Sequence, residues 1–371
     1  MKPYIYQQPD WPDFRWEQDA LQYLLGKVRN IQGKLVGKMD SLGFGLKNEA
    51  VLQTLTREVI KTTEIEGETL DLEQVRSSIA RRLGMNIPGM IASNRHVDGM
   101  VDMMMDVSRN FASPITAERL LNWQSALFPG GRSGLYTIVT GRWRDDSTGP
   151  MQVVSGPMGK EKIHFEAQPS SLINGEMDRF INWFNKDDQT IDPVIKAGLA
   201  HLWFVTIHPF EDGNGRIARA LSEMMLARAD GISQRFYSMS AQIRIERNAY
   251  YQVLEKTQLG KLDVTVWLQW FLNCLMNAIE ASEKVLSIVL DRHKFWNAHA
   301  TNVLNHRQIL MINKIFDGFE GNLTSSKWAK IVKCSLDTAL RDIQDLIKKG
   351  IFTKQEGGGR STCYKLIKGP A

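Results

Sequence analysis

Cysteine is scarce in this chain. Its 371 residues hold three, Cys274, Cys334 and Cys363, too few and too scattered for a metal-ligand spacing or a disulfide framework. They read as reduced thiols, and none has the neighbouring His and Asn of a cysteine nucleophile. Long apolar runs are missing too: no stretch approaches the roughly 20 residues that a membrane span needs. The opening residues, MKPYIYQQPDWPDF, lack the charged-then-apolar pattern of a secretory leader. The expectation is a cytoplasmic protein with no membrane segment. Internal repeats and low-complexity tracts are also lacking. GKLVGKM at Gly33 is not a phosphate-binding P-loop, because only three residues separate its glycines and no Ser/Thr follows Lys38.

What is present is ordinary in bulk, with 43% hydrophobic and 23% charged residues, a soluble globular composition with length enough for about two or three domains. Charge is unevenly placed. The net charge is +5, yet from Thr301 to the end 12 Lys/Arg face 6 Asp/Glu. A basic C-terminal module is a hint of nucleic acid.

Apolar periodicity and capping signals predict helices over 16–43, 48–65, 70–83, 93–111 and 117–127, with LGMNIPG breaking the series. Between Thr137 and Pro169 the pattern changes. MQVVS and KIHFEA flank the turn-like GPMGKE, which predicts a β-hairpin over 152–166 lying on the helical body. Helices resume over 172–185, 193–207, 214–228, 248–257 and 264–290, the last running on through DRHKFW.

The densest polar chemistry is HPFEDGNGRIAR, residues 208–219. The helix VIKAGLAHLWFVTI should stop near His208, because a residue before proline is pushed out of the α region. DGNG is a loop, and a new helix starts at Asn214. A glycine-preceded helix N-terminus presents free N–H groups and a positive dipole end, which is an anion site. Arg216 and Arg219 are three apart and share a helix side, so they can clamp a polyphosphate. Asp212 suits a Mg²⁺ that travels with the polyphosphate, and His208 sits on the rim, placed to take a proton from an incoming hydroxyl. For any one of these residues a plain polar corner between helices is the alternative. Their combination argues for the site.

HPFEDGNGRIAR also resembles the motif of the Fic family, HPFx(D/E)GNGRxxR, at every specified position. The resemblance implies transfer of AMP from ATP, with Mg²⁺, to a Ser, Thr or Tyr hydroxyl of a protein. It assigns the general base to His208, the metal to Asp212, and the anion hole for the α- and β-phosphates to Gly213, Asn214 and Gly215. Arg216 would touch the phosphate chain and Arg219 the γ-phosphate. The 152–166 hairpin would be the family's flap, aligning a target segment by strand addition; an ordinary surface hairpin is the alternative. RNAYYQVLEKTQLG resembles the family's Tyr-Tyr helix, so Tyr250, Tyr251 and Gln258 are candidates to hold the adenine. Core packing is the alternative for the tyrosines.

A second signal lies in VLQTLTREVIKTTEIEGE. Leu52, Leu55, Val59, Thr62 and Glu66 follow one helical face, and Gly67 stops the helix. A carboxylate ending an apolar stripe needs a cationic partner or water. Thr62, Glu66 and Gly67 match the (S/T)xxxE(G/N) inhibitory motif of Fic proteins. The resemblance implies that Glu66 pairs with Arg219 and takes the γ-phosphate position. In some Fic enzymes the same Glu supports removal of AMP.

After Thr301 the pattern reads helix, short helix, helix, hairpin. TSSKWAKIVKCSLDTALRDIQDLIKKG fits a helix-turn-helix capped by Thr324 or Ser325, and IFTKQEGGGRSTCYKLI fits two strands. It resembles a winged helix, with Lys333, Ser335, Thr338, Arg341 and Arg360 available to a DNA groove; a protein-interaction or dimerisation module is the alternative. Asp337, Asp342 and Asp345 weaken that reading.

The sequence is therefore read as mostly α: an N-terminal helical extension with an inhibitory helix (1–110), a Fic helical core with a β-hairpin flap (111–290), and a C-terminal winged helix-turn-helix domain (300–371). The function expected is an autoinhibited protein adenylyltransferase acting on a protein substrate. Self-modification, removal of AMP, a homodimer and a different nucleotide donor remain open to it. The competing reading is a DNA-binding regulator whose Fic core senses nucleotide.

Overall fold

The computed structural model describes residues 3–40, 44–147, 149–156, 160, 162–316, 318–319, 321–355 and 362–367. A 3₁₀ turn at Ile5–Gln7 precedes α1 (Gln18–Asp40), α2 (Phe44–Ile65), α3 (Leu72–Arg82), α4 (Arg95–Arg109) and α5 (Ala117–Leu127). The β pairs β1 (Arg132–Ser133) with β2 (Tyr136–Thr137), and β3 (Gln152–Ser155) with β4 (Lys162–Glu166), follow, both antiparallel. Then come α6 (Ile173–Asn185), α7 (Pro193–Ile207), α8 (Asn214–Asp230), α9 (Met239–Ile245), α10 (Arg247–Gln258) and α11 (Thr265–Ala298). The last segment holds α12 (His306–Phe316), α13 (Ser325–Ile331), α14 (Leu336–Lys348) and the antiparallel pair β5 (Phe352–Lys354) with β6 (Tyr364–Leu366).

Local chemistry explains the sharpest boundaries. Thr116 caps α5 by accepting the Arg119 N–H at 3.1 Å. Asp192 caps α7 at 2.7 Å with Pro193 in its first turn, where a missing N–H costs nothing. Past Pro193 every residue of α7 is buried, so this helix lies at the centre of the main core, and α8 packs against it. One apolar core runs from Ile5 to Val289 and takes in α1 to α11. A second, from Phe295 to Leu366, lies within the C-terminal helices and hairpin. α11, roughly 51 Å long at 1.5 Å per residue, contributes to both.

The expected helices occupy their places with ends moved by a few residues, α2 beginning earlier, and α11 runs on through DRHKFW as expected. Features that were not expected include α9, the small β1–β2 pair, and a bridge between Arg15 and Asp263. The expected turn GPMGKE lies in part, and Arg360 wholly, outside the described residues. No helix among the described residues is long and apolar enough to cross a membrane.

Candidate functional site

The site forms where α7 hands over to α8. His208 leaves α7 in the left-handed region, at φ 54, and so ends the helix. Arg144, a buried residue that the sequence reading missed, fixes this corner: its Nε donates to the His208 carbonyl at 2.8 Å and its N–H to that of Pro209 at 2.9 Å. The Asn214 side chain closes the loop behind, accepting the Phe210 N–H at 3.0 Å and donating to the Phe210 carbonyl at 2.7 Å. Asn214 thus spends its amide on the loop. What it offers an anion is its backbone.

Gly213 stands at the N-cap of α8 with φ 94 and no side-chain cap, a conformation natural to glycine. The first N–H groups of α8 are the cradle. Asp212 lies beside it, its Oδ2 accepting from Ser133 Oγ at 2.5 Å. Among the described residues no group of three His, Cys, Asp or Glu could hold a metal. Asp212 is the candidate to hold a Mg²⁺ whose other ligands would come from phosphates and water.

His208 Nδ1 is 3.2 Å from the Val205 carbonyl. A carbonyl only accepts, so the proton sits on Nδ1 and Nε2 keeps its lone pair. Burial, aided by the nearby Arg144 charge, pushes the imidazole pKa down to about 4. At neutral pH His208 is uncharged and ready to accept a proton.

Both arginines of the motif are buried and both meet carboxylates from the turn after α2. Arg219 donates to Glu66 Oε1 at 2.6 Å, to Thr62 Oγ1 at 2.7 Å and to the Thr62 carbonyl at 2.9 Å. A Cβ added to Gly215 would come within 2.4 Å of Glu66 Oε1. The Glu66 carboxylate therefore lies directly over the cradle glycine. Gly67, at φ 86, turns the chain away. Arg216 lies 3.4 Å from Glu68 and 3.5 Å from Asp212, with the Phe128 ring 4.8 Å from its guanidinium. Among the described residues its Nε is buried without a hydrogen-bond partner, an unmet donor beside the cradle.

Glu68 and its neighbour His96 escaped the sequence reading because neither belongs to a motif. His96 Nε2 is 3.3 Å from Glu68 and its Nδ1 3.2 Å from the Leu127 carbonyl. The hydrogen bond from His96, with the Arg216 charge behind it, holds the Glu68 carboxyl below the usual carboxylate range against burial.

His208, Gly215 and Glu66 open onto a cavity of about 640 Å³. β3 and β4 form one wall, and Tyr250, Tyr251 and Gln258 of α10 line another. The two tyrosines differ. Tyr250 is fully buried and its hydroxyl meets His201 Nε2 at 2.9 Å. Tyr251 is 37% exposed and its ring carries Arg247 at 5.2 Å. Arg247 Nε donates at 3.0 Å to the Ile65 carbonyl at the end of α2. The wall of the cavity thus also holds the acidic turn. Gln258 is buried and reaches Thr206 Oγ1 at 3.3 Å.

In chemical terms the site is an anion cradle at a helix start, with a neutral imidazole on its rim and two carboxylates of the same chain lying on its arginines. Residues 114–226 match the Fic/DOC family, and residues 4–85 match a domain of unknown function, DUF4172. The chain is a Fic/DOC family protein with that N-terminal domain. It is similar to the protein adenylyltransferase Fic of Nematostella vectensis, with 24% identity over 70% of this chain and 58% of the relative. It is also similar to that of Drosophila yakuba, with 35% identity over 69% of this chain and 47% of the relative. The chain thus spans about half the length of these curated relatives. Its fold is similar to that of a Fic family protein from Desulfovibrio desulfuricans G20, at a TM-score of 0.50 and 19% identity over 100% of this chain and 99% of the other.

Proposed function

We propose that this chain is an autoinhibited protein adenylyltransferase, which transfers AMP from ATP to a hydroxyl of a protein. The observation that carries the proposal is the Glu66 carboxylate over Gly215 and on Arg219: an anion of the chain lies where the cradle would take an anion of a ligand. The relatives' name, protein adenylyltransferase, supports the same chemistry.

In this reading the α8 N-terminus and Arg216 receive the phosphate chain, and Arg219 receives its far end once Glu66 withdraws. Asp212 would hold a Mg²⁺, which would supply charge neutralisation for the pyrophosphate. His208 Nε2 accepts the proton of the attacking hydroxyl. The β3–β4 pair, whose residues line the cavity, would act as the flap, where main-chain pairing would align a target with little demand on its sequence. Positioning and charge stabilisation carry most of the rate, and the base adds about 10²–10⁴-fold.

The C-terminal helices and hairpin we read as a winged helix. Asp342 is tied to Arg307 at 2.7 and 2.9 Å, and Asp345 to Lys349 at 2.5 Å. Two of the three acids that counted against DNA are thereby neutralised, while Lys333, Arg341 and Lys348 are exposed. DNA binding through this unit is the second reading.

Labelled ATP incubated in cell lysate with the wild type, Glu66→Gly and His208→Ala tests the proposal. Label transferred strongly by Glu66→Gly, weakly by wild type and not by His208→Ala is the expected pattern. Undiminished transfer by His208→Ala would overturn the mechanism.

A further inference from the structure

The flap carries a second set of reactive side chains that the transfer described above leaves unused. In the β3–β4 ribbon Val153 faces Phe165, but the next pair is Val154 with Ile163. The extra residue is His164. A bulge of this kind redirects the side chain of the inserted residue, and here it brings His164 onto Ser155 and towards α10. Ser155 Oγ is 2.6 Å from His164 Nε2, and His164 Nδ1 is 2.7 Å from Glu255 Oε2. Hydrogen bonds from His164 and Lys162 outweigh burial and hold the Glu255 carboxyl below the usual range, so it is a carboxylate.

A carboxylate can only accept, so it fixes the ring proton on Nδ1. Nε2 is left as the acceptor for the serine hydroxyl proton. Hydroxyl, imidazole and carboxylate in this order make an activated nucleophile. Tying the flap to α10 would require only the His164–Glu255 pair. Ser155 adds nothing to that tie, is exposed, and lines the same cavity as His208 and Gly215. The kind of electrophile follows from the cavity. Its anion donors are the N–H groups at the start of α8, which suit a phosphate rather than an acyl group.

We infer that Ser155 is an acceptor within the chain itself, poised to take a nucleotidyl group from the nucleotide in this cavity. The inference rests on the transfer reaction proposed above. Ser155 Oγ forms a bond to the α-phosphorus as the bond from that phosphorus to the bridging oxygen breaks. Pyrophosphate leaves with the electron pair, and the Oγ proton passes to His164 Nε2, whose imidazolium Glu255 stabilises. The product is a flap esterified at the edge along which a target would pair, so modification of Ser155 opposes modification of other proteins.

The test uses this whole chain carrying Glu66→Gly, with α-labelled ATP, Mg²⁺ and cell lysate in one reaction. Peptide mass mapping is expected to find the adduct on Ser155, to lose it in the Ser155→Ala double variant, and to find it formed about 100-fold more slowly with His164→Gln, the loss of a general base. Melting curves establish that the double variants are folded. Labelled lysate proteins with Ser155 unmodified would overturn the inference and leave the proposed transfer standing. An adduct forming at an undiminished rate in His164→Gln would overturn the role of the imidazole. No label on any protein would overturn both the inference and the transfer reaction.

Discussion

Replacing Glu66 by glycine should weaken the empty protein and strengthen its hold on ATP. Arg219 is 2% exposed at its side chain, so it cannot turn to water when its carboxylate goes. Removing one partner of a buried pair costs about 3–5 kcal/mol. Two things reduce the loss here: Glu66 is itself 28% exposed, and Arg219 keeps both bonds to Thr62. The expected loss is therefore about 2–3 kcal/mol, a drop in Tm of about 4–6 °C for a body of this size. With ATP the sign reverses. A phosphate on the vacated guanidinium makes a charge-assisted hydrogen bond worth about 1.5–3 kcal/mol, so ATP should bind about 10–100-fold more tightly to Glu66→Gly than to the wild type. ADP, one phosphate shorter, should gain much less. Calorimetric titration of both proteins with both nucleotides, beside melting curves with and without ATP, reads all four numbers. Equal ATP affinity in the two proteins, or an ADP gain as large as that of ATP, would refute the assignment of Arg219 to the far phosphate and of Glu66 to its place.

Glu68→Gln should loosen the same lock at Arg216. ATP affinity is expected to rise several-fold with little change in Tm, because Glu68 is partly exposed; an unchanged affinity in calorimetry would remove Glu68 from the lock. The pH dependence of kcat/KM in Glu66→Gly should be flat from about pH 6 to 8 and fall only towards pH 4, where His208 protonates. An acid limb centred near 6.5 would contradict a base held neutral in a half-buried corner. Burial also lowers the His201 pKa to about 3. The unfolded chain then takes up a proton that the folded chain refuses, so stability declines as pH falls from about 6.5 towards 3, by about 2–3 kcal/mol at pH 4.5. Urea unfolding at pH 7 and 4.5 should show a smaller pH slope in His201→Gln than in the wild type. A gel shift with random duplex tests the basic C-terminal unit. Binding that weakens steeply with salt supports the DNA reading, and none at low salt counts against it.

Much of this architecture is legible in the sequence because its signals are local. Thr116 and Asp192 announce α5 and α7 by their own side chains, and His208-Pro209 announces where α7 ends. The motif residues converge because they are near in the chain. α9 is short, with Ser238 as its cap, and too brief to display an apolar period. The partners missed are those that only the tertiary fold brings in. Arg144 reaches His208 across 64 positions and Ser133 reaches Asp212 across 79; no spacing rule connects them. Tyr250 and Tyr251 are adjacent in sequence yet differ in environment, because adjacent positions on a helix face different sides. The bulge at His164 is a matter of register, which the composition of two short strands does not specify.

The acidic turn after α2 lies in the segment matched to one family, and the arginines it covers lie in the segment matched to the other. Both belong to one covalent chain and share one apolar core. The contact between Glu66 and Arg219 is therefore intramolecular, and its strength is set by a fixed effective concentration rather than by the abundance of any partner. Dilution does not release it, and overproduction does not tighten it. The resting activity per molecule should be the same at nanomolar and micromolar protein, and only something that competes for the arginines or withdraws the turn can raise it.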